Sequence, residues 1–140
     1  MREILFRAKR IDNEEWIYGY IVKLGRERLS DPERYGICNK IITIDGSGVC
    51  YNLKVYEIIP ETVGQYTGLT DKNSKKIFEG DIVTAYFQSN RSKQKFSVIF
   101  ENGTFLFDND HVKVPVNDIY CLKIIGNIHD NSELLKGSEK

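Results

Sequence analysis

The sequence predicts a mainly β protein with a short helix at its C-terminal end. Short runs of alternating apolar and polar residues recur through most of the 140 residues, and polar turn residues separate them. Only the last ten residues carry a helical pattern. We therefore expect an N-terminal antiparallel β-hairpin region over residues 1–60, a small SH3-like β-barrel over 61–130, and a short helix and tail over 131–140.

Two strands are predicted to open the N-terminal region, at residues 3–9 and 15–23. In the second strand Trp16, Tyr18 and Tyr20 share one face, because alternate residues of a strand point to the same side. Aromatic rings are the largest apolar groups a short strand carries, so we predict that this row forms one wall of the core. The alternative is an exposed surface on which nucleic-acid bases stack.

The remainder of this region combines a loop with a second hairpin. Residues 25–36 are polar and punctuated by proline and glycine, which predicts a surface loop. Strands at 40–44 and 49–56 flank Asp45-Gly-Ser-Gly48, whose glycines tolerate the positive φ angles of tight hairpins. Pro60 then ends strand pairing.

Residues 61–130 read as a series of short strands. Ile77 and Phe78 begin an apolar stretch, and further strands are predicted at 82–87, 94–100, 104–107, 111–114 and 119–125. Asn102-Gly103 is the strongest hairpin signal in the chain, because this dipeptide suits a type I′ turn. Closure into an SH3-like barrel would remove the unpaired edges of so small a sheet.

The tail is predicted to form one or two helical turns. Asp130 or Asn131 suits the N-cap, and Glu133 early with Lys136 late suits the helix dipole. A helix this short forms only when it packs on the rest of the protein.

The charge balance argues against a strongly electrostatic partner. Lys and Arg number 20 and Asp and Glu number 20, so the formal net charge is zero. Nucleic-acid binding usually requires a broad basic surface. The local exception is Arg91, Lys93 and Lys95, which could contact phosphates but also suit a solvated turn and strand face.

The chain is predicted to be cytoplasmic. Its first residues lack the apolar run of a signal peptide, and no stretch approaches the roughly 20 apolar residues of a membrane helix. Cys38, Cys50 and Cys121 form no Cys-x-x-Cys pair. We expect free thiols, with Cys121 buried in a strand, and leave open whether Cys38 and Cys50 lie close together.

No catalytic constellation is visible, so we predict that the protein is not an enzyme and that it needs no cofactor. His111 and His129 are the only histidines, and a metal site would need further ligands from scattered carboxylates. We expect Asn127, His129 and Asp130 to form hydrogen bonds at the junction between strand and helix.

A second group of candidate interaction residues lies between residues 65 and 83. Its exposed members are expected to be Tyr66, Lys72, Lys75, Lys76 and Glu79. The same segment has a structural interpretation, in which glycines and aspartates form turns and apolar residues enter the core. The glycines are Gly68 and Gly80, the aspartates Asp71 and Asp81, and the apolar residues Ile77, Phe78, Ile82 and Val83.

Three segments together resemble one family. They are Met1-Arg-Glu-Ile-Leu-Phe-Arg-Ala, Gln65-Tyr-Thr-Gly-Leu-Thr-Asp-Lys-Asn-Ser-Lys-Lys-Ile-Phe-Glu-Gly-Asp-Ile-Val, and Ile125-Gly-Asn-Ile-His-Asp-Asn-Ser-Glu-Leu-Leu. In this order they are similar to the YopX family of phage and prophage proteins. Ser74 stands where the family usually has glycine, and Ser132 where it often has proline. The resemblance implies a β-rich protein of phage or prophage origin, with no activity assigned to named residues.

The expected function is that of a phage or prophage accessory protein. We favour a β-module that assembles with itself or binds a phage or host protein. Two alternatives stay open: a small β-barrel that binds nucleic acid through Arg91, Lys93, Lys95 and aromatic strands, and an enzyme whose site is assembled from scattered residues.

Overall fold

The protein is described here by a computed structural model, which covers residues 1–41 and 53–136. The predicted turn at 45–48 and Cys50, and with it the question of its proximity to Cys38, lie outside the described residues. The chain forms two compact units. One comprises Met1 and Glu3–Gln65, and the other comprises Arg2 and Tyr66–Lys140.

The first unit is built on antiparallel strands. They are β1 (Phe6–Lys9), β2 (Trp16–Leu24), β3 (Arg34–Ile41) and β4 (Leu53–Glu57), in the order β4-β3-β2-β1. A 3-10 turn at Pro60–Thr62 precedes β5 (Gly64–Thr70), whose first two residues pair with β1.

Strand β3 begins inside the segment predicted as a loop. The expectation is therefore wrong for residues 34–36, although 25–33 contain no strand. Gly36 does not mark a turn here. It pairs with both neighbouring strands, and its missing side chain leaves room for Val55, whose Cγ1 would lie 2.6 Å from a Cβ at that position.

The core of the first unit contacts the aliphatic face of β2. Its buried members are Ala8, Ile17, Ile37 and Ile58, with Ile21, Tyr35, Tyr56 and Val63 packed against them. Tyr18 and Tyr20 point the other way and are 47% and 54% exposed. The prediction that the aromatic row forms an inner wall is wrong, because Ala8, Ile17, Ile37 and Ile58 already fill the core.

The second unit contains a five-stranded antiparallel sheet. Its elements are β7 (Asp81–Phe87), β8 (Lys93–Glu101), β9 (Thr104–Asp108), β10 (Lys113–Val114) and β11 (Ile119–Asn127), in the order β10-β9-β8-β7-β11. Strand β6 (Lys76–Phe78) pairs with the later residues of β5. The buried core consists of Ile77, Val83, Ala85, Phe96, Val98, Phe107 and Ile119.

The mainly β class, with antiparallel sheets and a short C-terminal helix, is confirmed. The helix is α1 (Glu133–Lys136). Among the described residues, β10 and β11 end the sheet order without pairing to each other, so no barrel is closed there. Within the same part of the chain, no helix has the length and apolar character needed to span a membrane.

The hairpin between β8 and β9 is confirmed. Asn102 and Gly103 have φ angles of 53° and 79°, both in the left-handed region that a type I′ turn requires. Glu101 and Thr104 pair directly on either side of them. The turn therefore fixes the register of β8 with β9.

Two buried aspartates hold the segment between β5 and β7. Asp71 accepts hydrogen bonds from the backbone N–H groups of Asn73 and Lys75 at 2.8 and 2.9 Å, and Asp81 accepts one from Phe78 at 2.7 Å. Ile77, Phe78, Ile82 and Val83 are buried and Gly80 lies in a turn, as predicted. The prediction of a turn at Gly68 is wrong, because Gly68 lies inside β5 with φ 88°.

The junction between β11 and α1 is also held as expected. Asn127 Oδ1 accepts hydrogen bonds from the backbone N–H groups of His129 and Asp130, both at 2.9 Å, and its Nδ2 donates to the carboxylate of Asp130. Asn131 Oδ1 in turn accepts from the N–H of Asn127. These bonds position the start of the helix.

The two described cysteines differ in their environment. Cys38 is buried and Cys121 is exposed. The prediction of a buried Cys121 is wrong because the pairing of β11 with β7 is irregular between Tyr120 and Lys123. Cys121 has φ 58° in this bulge, which interrupts the alternation of inward and outward side chains.

Candidate interaction surfaces

The first candidate surface lies on the outer side of the first unit. We call it the aromatic face and define it as Arg7, Lys9, Trp16, Tyr18, Tyr20 and Val55. Tyr18, Tyr20 and Val55 are exposed, the last by 38%. The solvated side of an antiparallel sheet normally carries polar residues. This side carries rings and an aliphatic residue instead, which is typical of a binding surface.

Strand register brings the members of the aromatic face together. Arg7 pairs with Tyr18 and Lys9 with Trp16 across β1 and β2. Tyr20 pairs with Cys38, and Cys38 pairs with Val55 on the next strand. Directly paired residues share a side of the sheet, so the six residues lie on one side, with the buried Cys38 between Tyr20 and Val55.

Two cations contact the indole ring of this face. The guanidinium carbon of Arg7 lies 4.7 Å from the centroid of Trp16, and Nζ of Lys9 lies 5.5 Å from it. Arg7 is only 6% exposed. Cation–π attraction is stronger when the cation is shielded from water, so these contacts fix the orientation of Trp16.

The second candidate surface lies on the five-stranded sheet. We call it the tyrosine–lysine face and define it as Tyr86, Lys93, Lys95, Tyr120 and Lys123. Tyr86 pairs with Lys93 on one side and with Tyr120 on the other, and Thr84 pairs with Lys95 and Lys123 in the same way. The face therefore has two parallel rows across three strands.

The tyrosines of this face stack on each other. The centroids of Tyr86 and Tyr120 are 5.4 Å apart with 24° between the ring planes, and Nζ of Lys93 lies 5.9 Å from the ring of Tyr86. Nζ of Lys95 donates a hydrogen bond to the carbonyl oxygen of Leu134 at 3.1 Å. Lys95 thus has a structural role in holding α1 against the sheet.

Only two of the three residues in the predicted basic group, Arg91, Lys93 and Lys95, lie on the tyrosine–lysine face. Lys93 and Lys95 belong to the tyrosine–lysine face, whereas Arg91 lies in the turn before β8 with φ 58°. Tyr86, Tyr120 and Lys123 were not predicted. Their spacing in the sequence carries no signal, because only the pairing of β11 with β7 brings them beside Lys93.

The predicted group at residues 66–76 surrounds the Asp71 turn and β6. The ring of Tyr66 packs on Phe78 with centroids 5.6 Å apart, and Nζ of Lys76 lies 5.5 Å from the Tyr66 ring. Lys72 and Lys75 are exposed in the turn. Tyr66 is thus held in place by the contacts that support the fold.

The described residues contain no group of three or more His, Cys, Asp or Glu side chains arranged to hold a metal ion. His111 follows β9, and its backbone N–H donates to Asn109 Oδ1 at 3.0 Å. His129 lies in the junction described above. The two histidines therefore occupy local turns.

Comparison with known proteins places this chain in a family. The family model described as YopX protein matches residues 5–136, which is most of the sequence. A search of curated proteins gives no match. The fold is similar to that of protein EF1440 from Enterococcus faecalis, known from a crystal structure, with a TM-score of 0.63 and 26% identity over 96% of this chain and 99% of that chain.

Proposed function

The chain belongs to the YopX family, and we propose that it is a self-associating β-module that docks a second copy of itself through the aromatic face. In this proposal it is a phage or prophage accessory protein without catalytic activity, located in the cytoplasm of its bacterial host. The observation that carries the proposal is the outward orientation of Tyr18 and Tyr20, beside Val55.

The composition of the aromatic face favours a protein partner. Trp, Tyr and Arg are the residue types that contribute most to protein interfaces. Here Trp16 is already oriented by Arg7 and Lys9, so little side-chain entropy is lost when a partner covers it. The face therefore has ordered anchors before binding.

A second copy fits this face better than a strongly charged partner. The formal net charge of zero means that two copies do not repel each other over long range. The face also carries rings on β2 and cations on the neighbouring β1. Because Arg7 is buried and both cations already contact Trp16 of their own chain, a two-fold axis would bury the exposed Tyr18, Tyr20 and Val55 of one copy against those of the other.

Size-exclusion chromatography with light scattering tests this proposal. The wild-type protein should have twice the monomer mass at micromolar concentration, and the Tyr18→Ser/Tyr20→Ser variant should be monomeric. Phe100→Ser is the matched control, because Phe100 is 51% exposed but lies outside the aromatic face. A monomeric wild type, or equal loss of the dimer in the control, would contradict the proposal.

A second candidate function is binding of single-stranded nucleic acid by the tyrosine–lysine face. The observation that favours it is the stacked pair Tyr86 and Tyr120 beside Lys93, which combines rings for base stacking with a cation for phosphate. Salt-dependent gel shifts with labelled oligonucleotides test it. Lys93→Gln should reduce the salt slope by roughly 0.7, the value for one phosphate contact on a single strand. Lys113→Gln, on β10, is the control, and absence of any shift at about 50 mM salt would end this candidate.

We also propose that residues 61–130 have the topology of an SH3-like barrel. Strands β7, β8 and β9 form a meander, a 3-10 turn at Val116–Asp118 follows β10, and β11 returns beside β7. This order of elements supports the proposal. Backbone hydrogen exchange would test it, since barrel closure requires protection of the N–H groups of β10 as strong as that of β9.

A further inference from the structure

A cleft in the second unit has the dimensions of a small-molecule site. Its volume is about 790 Å³, within the range of roughly 300–1,000 Å³ that such sites occupy. It is lined by three apolar residues, Phe87, Val112 and Val114, and by seven polar ones. The cleft therefore combines an apolar part with a dense set of polar groups.

The polar groups are mainly uncharged carboxamides. Gln88, Asn90, Gln94 and Asn109 supply four of them, and Asp118 supplies the single carboxylate of the lining. No lysine or arginine lines the cleft. The ionisable side chains of the lining are His111 and Asp118, and the carboxylate of Asp118 would repel a phosphate or carboxylate ligand, so an anion is disfavoured. The chemistry suits a neutral ligand with many hydroxyl or amide groups.

Two of the carboxamides are held in place by local turns. Asn90 Oδ1 accepts hydrogen bonds from the backbone N–H and the hydroxyl of Ser92, at 2.9 and 2.8 Å. Asn109 Oδ1 accepts from the backbone N–H groups of His111 and Val112, at 3.0 and 2.8 Å. Because these bonds use the oxygens, the Nδ2 groups are the donors that can serve a ligand.

One apolar side chain of the cleft is held by packing on the core. Phe87 packs edge-on against the buried Phe96, with centroids 5.4 Å apart and 75° between the ring planes. Val112 and Val114 complete the apolar lining. A fixed ring beside hydrogen-bonding groups matches a sugar, which has an apolar face of C–H groups and an edge of hydroxyl groups.

We propose that this cleft binds a neutral saccharide, with Phe87 contacting a C–H face of the sugar and Gln94, Asn90, Asn109 and Asp118 hydrogen-bonding its hydroxyl groups. Asp118 accepts from hydroxyl groups, Asn90 and Asn109 donate through Nδ2, and Gln94 can both donate and accept. The site is separate from the aromatic face and does not depend on self-association.

Saturation-transfer NMR on the full chain tests the site. The probes are glucose, galactose, N-acetylglucosamine and maltose, each at about 10 mM. Glucose 6-phosphate and adenosine are the comparison ligands, one an anionic sugar and the other a nucleoside. At least one neutral sugar should give saturation transfer. Its affinity should fall at least five-fold in Gln94→Leu, because the loss of one hydrogen bond of about 1 kcal/mol has an effect of this size. Thr104→Val is the control outside the cleft.

Three results would overturn the inference. They are no transfer to any of the four neutral sugars, unchanged binding in a folded Gln94→Leu variant, and stronger binding of adenosine or glucose 6-phosphate than of every neutral sugar. If Gln94→Leu does not fold, Asp118→Asn takes its place with the same expected weakening.

Discussion

The carboxylate of Asp71 accepts a hydrogen bond from the backbone N–H of Ile124 at 3.1 Å, although the two residues are 53 positions apart in the chain. The same side chain also binds the N–H groups of Asn73 and Lys75. Asp71 therefore joins the turn between β5 and β6 to the last strand of the second unit. Burial alone would raise the pKa of Asp71, but these three N–H donors outweigh it and lower the pKa below its usual value.

Asp71→Asn should lower the free energy of unfolding by about 1–3 kcal/mol at pH 7, because a buried N–H group loses its acceptor. Urea unfolding followed by circular dichroism measures the difference. Asp110→Asn is the control, since Asp110 is exposed in the turn after β9. A loss no larger than that of the control would show that the three hydrogen bonds do not support the fold.

The same substitution should change the dependence of stability on pH. The folded-state pKa of Asp71 is lowered, so its ionised form contributes stability above the unfolded-state pKa of about 3.9, and this contribution is lost as the pH falls through the folded-state value. The gap between wild type and Asp71→Asn should therefore narrow when unfolding is measured below pH 4. An equal gap at pH 7 and pH 3 would contradict this assignment.

Gly103→Val should destabilise the protein by about 1 kcal/mol or more. Gly103 has φ 79°, and a β-branched side chain resists this conformation. Gly25→Val is a matched control, because a Cβ at either position meets no atom within 4 Å and only Gly103 has a positive φ. Thermal unfolding measures both variants, and equal melting temperatures for them would show that backbone conformation is not the cause.

Ser74→Gly should stabilise the protein by about 0.5 kcal/mol. Ser74 has φ 63° where the family usually has glycine, and a non-glycine residue pays a steric cost there. Ser97→Gly, in the middle of β8, should have the opposite effect because glycine weakens strands. Chemical denaturation of the two variants checks the sign, and destabilisation by Ser74→Gly would contradict the prediction.

Cys121 should react faster with a thiol reagent than Cys38 does. Cys121 is exposed in the β11 bulge and Cys38 is buried. Labelling the native protein with Ellman's reagent measures the fast-reacting thiols. Their number should fall by one in Cys121→Ser and stay unchanged in Cys38→Ser. The reverse pattern would place Cys121 in the interior.

The preferences of individual residues for turn conformations predicted these turns correctly. Asn102 and Gly103 form the expected hairpin, and Asp71 and Asp81 bind backbone N–H groups as expected, because the conformations of such short segments depend mainly on the residues within them. The hydrogen bonds of Asn127 at the junction with α1 belong to the same class.

The side of the sheet to which a side chain points, and the pairing of strands far apart in the sequence, could not be predicted from neighbouring residues. Alternation along β2 defines two faces, but it does not say whether Tyr18 or Ile17 points inward. That choice depends on Ala8, Ile37 and Ile58, which come from other segments and fill the core. The tyrosine–lysine face likewise depends on the register of β11 with β7, and the bulge at Cys121 shifts that register.

The intrinsic fluorescence of Trp16 tests the central claim most directly, because it is the single tryptophan of the chain and lies in the aromatic face. Acrylamide quenching and light scattering should be followed together as the protein is diluted. The account predicts that quenching of Trp16 increases over the same concentrations at which the mass falls from dimer to monomer. A fall in mass with unchanged quenching, or a monomer at every concentration, would contradict it.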